Sequence, residues 1–326
     1  MQGKIALEEH FAIPDTLADS KGFFPETIWG ELRDRLIDIQ DRRLREMDAN
    51  GVELMILSLN APTVQAIPDA DAACALARRA NDYLAEEVAK RPDRFKGFAA
   101  LPMQDPDLAA NELERCVRDL GFVGALVNGF SQVGNKDNVT YYDEPAYRSF
   151  WRKIEFLKVP FYLHPRNPLV AHARIFQGHE WLLGPTWAFG QETAVHALRL
   201  TGSGLFDDCP ALQIILGHMG EGLPYNMWRV DHRNAWMDLS PSYQAKRQIG
   251  DYFRENFHLT TSGNFRTPTL VDAIAEIGAD RIMFSTDWPF ENVDHAAGWF
   301  DTAEIDVASK QKIGRDNALA LFKLDA

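Results

Sequence analysis

The sequence predicts an α/β protein, a (β/α)8 TIM barrel with long loops after strands 1, 4 and 5, and three observations lead there. Eight short apolar, β-rich runs recur along the chain, stretches with helical patterning alternate with them, and polar side chains able to bind a metal stand where several runs end. At 326 residues the chain fits one barrel with a shared core, so residues 1–326 read as a single domain. Apolar residues at 46% and charged ones at 25% match an average globular protein and exclude disordered and fibrous classes.

Taken in order, KIALEEHF from Lys4 is strand one, followed by a long connection over 11–40. VELMILSL from Val52 is strand two, and DAACALARRANDYLAEEVAKR after it has apolar residues at the three and four spacing of a helix face. FKGFAALP from Phe95 is strand three, with the helical DLAANELERCVRDLG behind it. VGALVNG from Val123 and PFYLHP from Pro160 are strands four and five, each followed by a long connection, 129–143 and 166–191. LQIILGH from Leu212, FHLTTSG from Phe257 and RIMFSTDWP from Arg281 complete the eight, with TPTLVDAIAEIGAD a helix between the last two. In a barrel the loops after strands share one rim, where long ones build a substrate pocket or a subunit contact. The rival fold is an open doubly wound sheet, but no glycine-rich nucleotide loop follows any strand.

Bulk properties narrow the partners. A net charge of -13 without a basic run repels nucleic acid and anionic membranes, and no apolar run approaches the ~20 residues of a membrane span. The N-terminus lacks the pattern of a secretory leader, so a cytoplasmic location is expected. Cys74, Cys116 and Cys209 are far apart and form no CxxC pair, which indicates neither a disulfide framework nor a thiolate metal site. The aromatic segment IFQGHEWLLGPTWAFG suggests self-association, unless it covers the protein's own barrel.

The chemistry collects at strand ends. Strand one ends in Glu8 and His10, strand five in His164, strand six in His218 and strand eight in Asp287. Taken singly, each has a structural explanation, a capped turn or a hydrogen-bonded histidine; barrel topology brings all five to one rim. Glu8 and His10 are two apart and share a face in extended backbone, while Glu9 turns away to a surface or supporting role. Carboxylate oxygen and imidazole nitrogen suit zinc or another first-row divalent ion, so Glu8, His10, His164 and Asp287 form the expected metal shell. In HMGEGLP, Glu221 follows His218 by three residues and would hold its tautomer and raise its pKa, making a proton donor or acceptor. The alternative for Glu221 is an acid in a first helical turn. Phe23 and Phe24 would wall an aromatic ligand or simply pack. Asn128 would donate a hydrogen bond into the pocket or close a turn, and Arg166, Arg229 and Arg233 would meet an anionic substrate or pair at the surface.

Glu8-x-His10, His164, LGHMGEGLP and STDWP around Asp287 together resemble the amidohydrolase superfamily, and within it the decarboxylase branch that includes aminocarboxymuconate-semialdehyde decarboxylase. The likeness spans nearly the whole chain. It implies non-oxidative decarboxylation of a hydroxybenzoate, 2,6-dihydroxybenzoate first, with 2,3-dihydroxybenzoate and salicylate as near alternatives. Asp287 would deliver the proton, helped by His218 and Glu221, and Phe23, His164, Asn128 and Arg229 would bind substrate. Many superfamily hydrolases carry His-x-His on strand one and a lysine closing strand four; Glu8-x-His10 and Asn128 stand there instead, which implies one divalent ion per subunit, Zn2+ or Mn2+. No organic cofactor is expected, since the scheme needs none and no pyridoxal-binding lysine or nucleotide-binding loop is suggested. The resemblance also favours a homotetramer. A mononuclear hydrolase or hydratase, and a barrel that binds aromatic acids without turning them over, are the other expectations.

Overall fold

The structure is a computed structural model and describes residues 1–237 and 242–324. Its centre is a ring of eight parallel strands: β1 (Lys4–Phe11), β2 (Val52–Leu59), β3 (Phe95–Ala99), β4 (Gly124–Asn128), β5 (Phe161–His164), β6 (Ile214–Leu216), β7 (Phe257–Thr260) and β8 (Ile282–Met283). Each strand pairs with the next in sequence, as in the register that sets Asn128 beside His164. No ladder joins β8 to β1 among the described residues; the His10 amide donates to the Trp288 carbonyl at 2.6 Å just past the end of β8 and draws the two edges together. This is the (β/α)8 barrel that the alternation of runs predicts.

Two apolar clusters explain why the ring forms. Ile5, Leu7, Ile56, Phe98, Leu126, Tyr162, Ile215 and Met283 fill the interior. Ala318 and Phe322 of the terminal helix Asn317–Phe322 join that cluster and close the amino end of the barrel. The outer faces of the strands carry the helices. In Ala70–Lys90 the buried positions Ala73, Leu76, Ala77, Ala80 and Leu84 recur at three and four, the stripe a helix needs to bury one side. Its start is fixed by Asp69, which accepts from the Ala72 amide at 2.8 Å, and Asp105 caps Pro106–Arg118 in the same way.

Three details depart from the sequence expectation. The connection over 11–40 contains a helix, Glu26–Ile37, whose Trp29, Leu32 and Leu36 form a satellite cluster with Ala12. The 129–143 connection carries a small hairpin, Ser131–Gln132 against Val139–Thr140, and the 166–191 connection runs through single 3-10 turns into the start of the helix Ala188–Gly202. β6 and β8 are shorter than their apolar runs because the residues that follow leave the ladder. Ser285 and Thr286 bond to Glu9 instead, so the chain beyond β8 is held by a side chain.

Candidate active site

The site begins with an irregularity in β1. Ile5 and Leu7 face the barrel interior, so strict alternation would turn Glu9 inward and send Glu8 and His10 outward. The register against β2 slips between Leu7 and Glu9, leaving Glu8 as an extra residue with φ 70°. This bulge returns Glu8 and His10 to the inside and Glu9 to the outside, which is the arrangement inferred from their spacing. All three are fully buried.

Glu8 points at the centre of the rim. Tyr162, from the interior of β5, donates to its Oε2, and Thr260 from β7 does so at 3.3 Å. Its Oε1 faces His164 Nε2 at 3.3 Å and His218 Nε2 at 3.6 Å. His10 has its Nδ1 3.2 Å from Ser58 Oγ and its Nε2 3.4 Å from Asp287 Oδ1. His218 Nε2 lies 3.8 Å from Asp287 Oδ2, and its Nδ1 is 2.8 Å from Glu221 Oε1. Two overlapping sets of possible ligands result: Glu8, His10 and His164, and Glu8, His218 and Asp287.

The backbone is strained where these side chains attach. Among the described residues only eight that are not glycine have positive φ, and Glu8, His218, Met219, Glu221 and Asp287 are five of them. Such conformations cost of the order of 1–3 kcal/mol each, so strain is concentrated at the rim where chemistry is expected. Two glycines make room. A Cβ at Gly217 would lie 2.7 Å from Glu8 Oε2, and one at Gly263 would lie 3.0 Å from His218 and 3.3 Å from Asp287 Oδ2.

Electrostatics separate the roles. Burial opposes the Glu8 charge, but His218 and His164 outweigh it and hold the carboxyl below its usual range. Burial likewise opposes ionisation of Asp287, yet hydrogen bonding and charge from His10 and His218 bring it down to about 2. For His218, burial disfavours the imidazolium, but Glu221 and Glu8 raise it well above the ordinary value. Burial lowers His164 and raises Glu221. Without ligand, Asp287 is therefore ionised and the proton sits on His218.

Glu8 Oε1, His10 Nε2 and His164 Nδ1 are buried without a hydrogen-bond partner. Leaving such atoms bare costs about 1–3 kcal/mol apiece. The oxygen and nitrogen donors of this cluster fit a divalent cation, which would satisfy the first two where they meet.

Beside the cluster is a cavity of about 120 Å3, walled by Phe24, Ala61, Pro185, Phe189 and Phe290 and floored by His164, His218 and Asp287. A cavity of about 150 Å3 holds benzene, so this one is of the scale of a single aromatic ring. Its walls come from the connections after β1, β2, β5 and β8, including two of the long loops. Ser20 and Glu291 are its other polar lining.

The structure thus brings together Glu8, His10, His164, His218, Glu221 and Asp287. Asn128 is buried at the end of β4, with its Nδ2 donating to the Asn60 carbonyl at 3.2 Å, and does not line the cavity. Arg229 stands exposed on the helix Leu223–Met237, in an outer groove behind Glu221. The Phe23 side chain falls outside the described residues, while its neighbour Phe24 is in the wall. Tyr162, Thr260 and Ser58 escaped the sequence reading; each is inward-facing on its strand, and Tyr162 sits two residues before His164, a spacing that places both on one face.

A parallel barrel with carboxylates and imidazoles converging at its carboxyl rim is the framework of the metal-dependent amidohydrolases. The chain belongs to the amidohydrolase family, whose sequence pattern it matches over residues 10–324. It is 71% identical over 325 residues to γ-resorcylate decarboxylase of Rhizobium sp. strain MTP-10005, covering 100% of this chain and 99% of that one. It is similar in structure to 2,6-dihydroxybenzoate decarboxylase complexed with 2,6-dihydroxybenzoate, with a TM-score of 0.98 and 71% identity over 99% of this chain and 100% of the other. A dihydroxybenzoic acid decarboxylase from Polaromonas sp. JS666, solved with manganese and the inhibitor 2-nitroresorcinol, gives a TM-score of 0.97 and 70% identity over 99% and 97%.

Proposed function

We propose that the protein is a carboxy-lyase that removes CO2 from 2,6-dihydroxybenzoate without oxidation, giving resorcinol, and that it works reversibly with one divalent cation per subunit. The observation that carries this is the ring-sized apolar cavity opening onto a cluster of oxygen and nitrogen ligands. The 71% identity to γ-resorcylate decarboxylase supports the choice of substrate.

Glu8, His10, His164 and Asp287 would hold the cation, Mn2+ or Zn2+. When bound, it supplies positive charge that offsets the anionic substrate and the negative field of the protein. Phe24, Phe189 and Phe290 grip the ring faces and keep water away, so the carboxyl-bearing carbon is presented in one orientation. An aryl carboxylate loses CO2 slowly because the electron pair left behind has no sink, and prior protonation of that carbon removes the difficulty. Asp287 delivers this proton. Being ionised beforehand, it must first receive one, from a substrate phenol or from His218, which Glu221 keeps charged. The carbon gains the proton, the bond to the carboxylate breaks, its electron pair returns to the ring and CO2 leaves. Run backwards, Asp287 takes the proton from the ring carbon as CO2 adds.

Incubation with a panel of hydroxybenzoates, with CO2 and products measured and the metal content determined, tests the reading. The expected result is resorcinol from 2,6-dihydroxybenzoate, lost on chelation and restored by Mn2+ or Zn2+. Ligand-induced thermal protection without any CO2 would sink it. Exposed Ile175, Trp181, Trp187, Tyr225 and Trp228 support self-association; the resemblance favours four subunits, for which light scattering should give four times the 36.9 kDa chain mass. Cys74, Cys116 and Cys209 are unpaired, consistent with work in a reducing cytoplasm.

A further inference from the structure

Glu9 lies between two proposed metal ligands and points away from both. It is fully buried, and its carboxylate is spent on one short segment. Oε1 accepts from the Thr286 amide at 2.8 Å and from Ser285 Oγ at 3.3 Å. Oε2 accepts from the Trp288 amide at 3.1 Å and from the Thr286 hydroxyl. The bonds bracket Asp287, whose own φ is 68°, a left-handed conformation that L-residues other than Asn and Asp rarely adopt. From the next position along β1, the His10 amide donates to the Trp288 carbonyl at 2.6 Å, and buried Arg43 holds the His10 carbonyl while its guanidinium faces the Trp288 ring, 5.6 Å from the centroid. Arg35 lies over the same ring at 4.2 Å.

We infer that Glu9 is a positioning residue: it fixes the turn that carries Asp287 against the strand that carries His10, so that the two side chains reach one cation as a preset pair. This rests on the metal reading above. Among the described residues the β8–β1 edge has no ladder of its own, so these bonds tie together the two segments that place His10 Nε2 and Asp287 Oδ1 3.4 Å apart. A side-chain amide in its place has the same shape, but its NH2 can accept no hydrogen bond, whereas both oxygens of the carboxyl group can, so the NH2 must confront either the Thr286 or the Trp288 amide, donor against donor. The turn then loses one of its two backbone anchors without a change in volume.

The test is Mn2+ affinity, measured by chelator competition without substrate, for wild type, Glu9→Gln and Glu9→Ala, together with kcat and KM for 2,6-dihydroxybenzoate at saturating Mn2+ and a thermal melt. Glu9→Gln should stay folded and bind Mn2+ 10- to 100-fold more weakly, the usual cost of losing a group that orients a ligand. At saturating metal its kcat should fall while KM changes little. Wild-type Mn2+ affinity and kcat in Glu9→Gln, with only a lower melting temperature in Glu9→Ala, would overturn the inference. Failure of the functional reading has a different signature: wild type itself would bind no Mn2+, or bind it without releasing CO2.

Discussion

Asp287 is asked to be both ligand and proton donor, and its surroundings make that demanding. With its carboxyl held at about 2, it gains a proton only when substrate arrives, so the Asp287→Asn variant should lose at least about 10^3-fold in kcat while keeping measurable metal through Glu8, His10 and His164. A variant with near-normal turnover would remove Asp287 from the proton step. His218→Asn leaves the shape of the imidazole edge but no proton to hold, and should slow turnover by about 10^2- to 10^4-fold with an unchanged melting profile. An unaltered rate would take His218 out of the mechanism. Glu8, His10, His164, His218 and Asp287 were legible in the sequence because strand ends share a rim whatever the details of packing. Glu9 was not: its value lies in bonds to residues 285–288, nearly the whole chain length away, and spacing alone says only which way it turns.

At the scale of elements, the strands that bear the chemistry are the irregular ones. β1 carries a bulge, β6 and β8 are cut short, and the turns after them run through left-handed conformations at His218 and Asp287. The alternation of apolar runs showed eight strands because burial on both faces leaves that pattern. It could not show where each ladder stops, since that is decided by side chains such as Glu9 competing for backbone amides. Gly217 marks the same point. It ends the β6 region with ordinary φ, so alanine is permitted by the backbone and excluded by Glu8 Oε2 and the Tyr162 hydroxyl, which a Cβ would approach to 2.7 and 3.1 Å. Gly217→Ala should destabilise the fold by about 1–3 kcal/mol and, by displacing Glu8, weaken metal binding. Denaturant midpoints with a metal titration check both. Normal affinity would mean that Glu8 has freedom to move that its bonds to Tyr162 and Thr260 do not suggest.

For the whole molecule, acid is the condition that should find its weakness, and two histidines far from the rim set where. His196 is buried between Tyr141 and Tyr142 and accepts from the Tyr142 amide at 3.2 Å; His258 is buried near the amino end of β7, 3.0 Å from Arg281. Burial, with Arg199 and Arg281 adding to it, lowers each to about 3. The unfolded chain takes up these protons at about 6.5, the folded protein only near 3, so the unfolded state binds more protons throughout that window and stability falls as pH falls across it. Each contributes a slope of up to about 1.4 kcal/mol per pH unit, and the two together should remove about 3 kcal/mol between pH 6.5 and 5. Other buried groups titrate differently in the same interval. Glu9, pushed up to about 8 by burial, and His218, raised by Glu221 and Glu8, keep their protons in the folded protein and oppose the decline, while His164, lowered by burial, adds to it. It is therefore the comparison with a variant that isolates one histidine. Urea unfolding of the metal-free protein should lose less stability between pH 6.5 and 5 in His258→Gln than in wild type, by about 1.5 kcal/mol. Equal slopes in the variant and the wild type would show that His258 is protonated in the folded protein, with Arg281 moved aside to admit the charge.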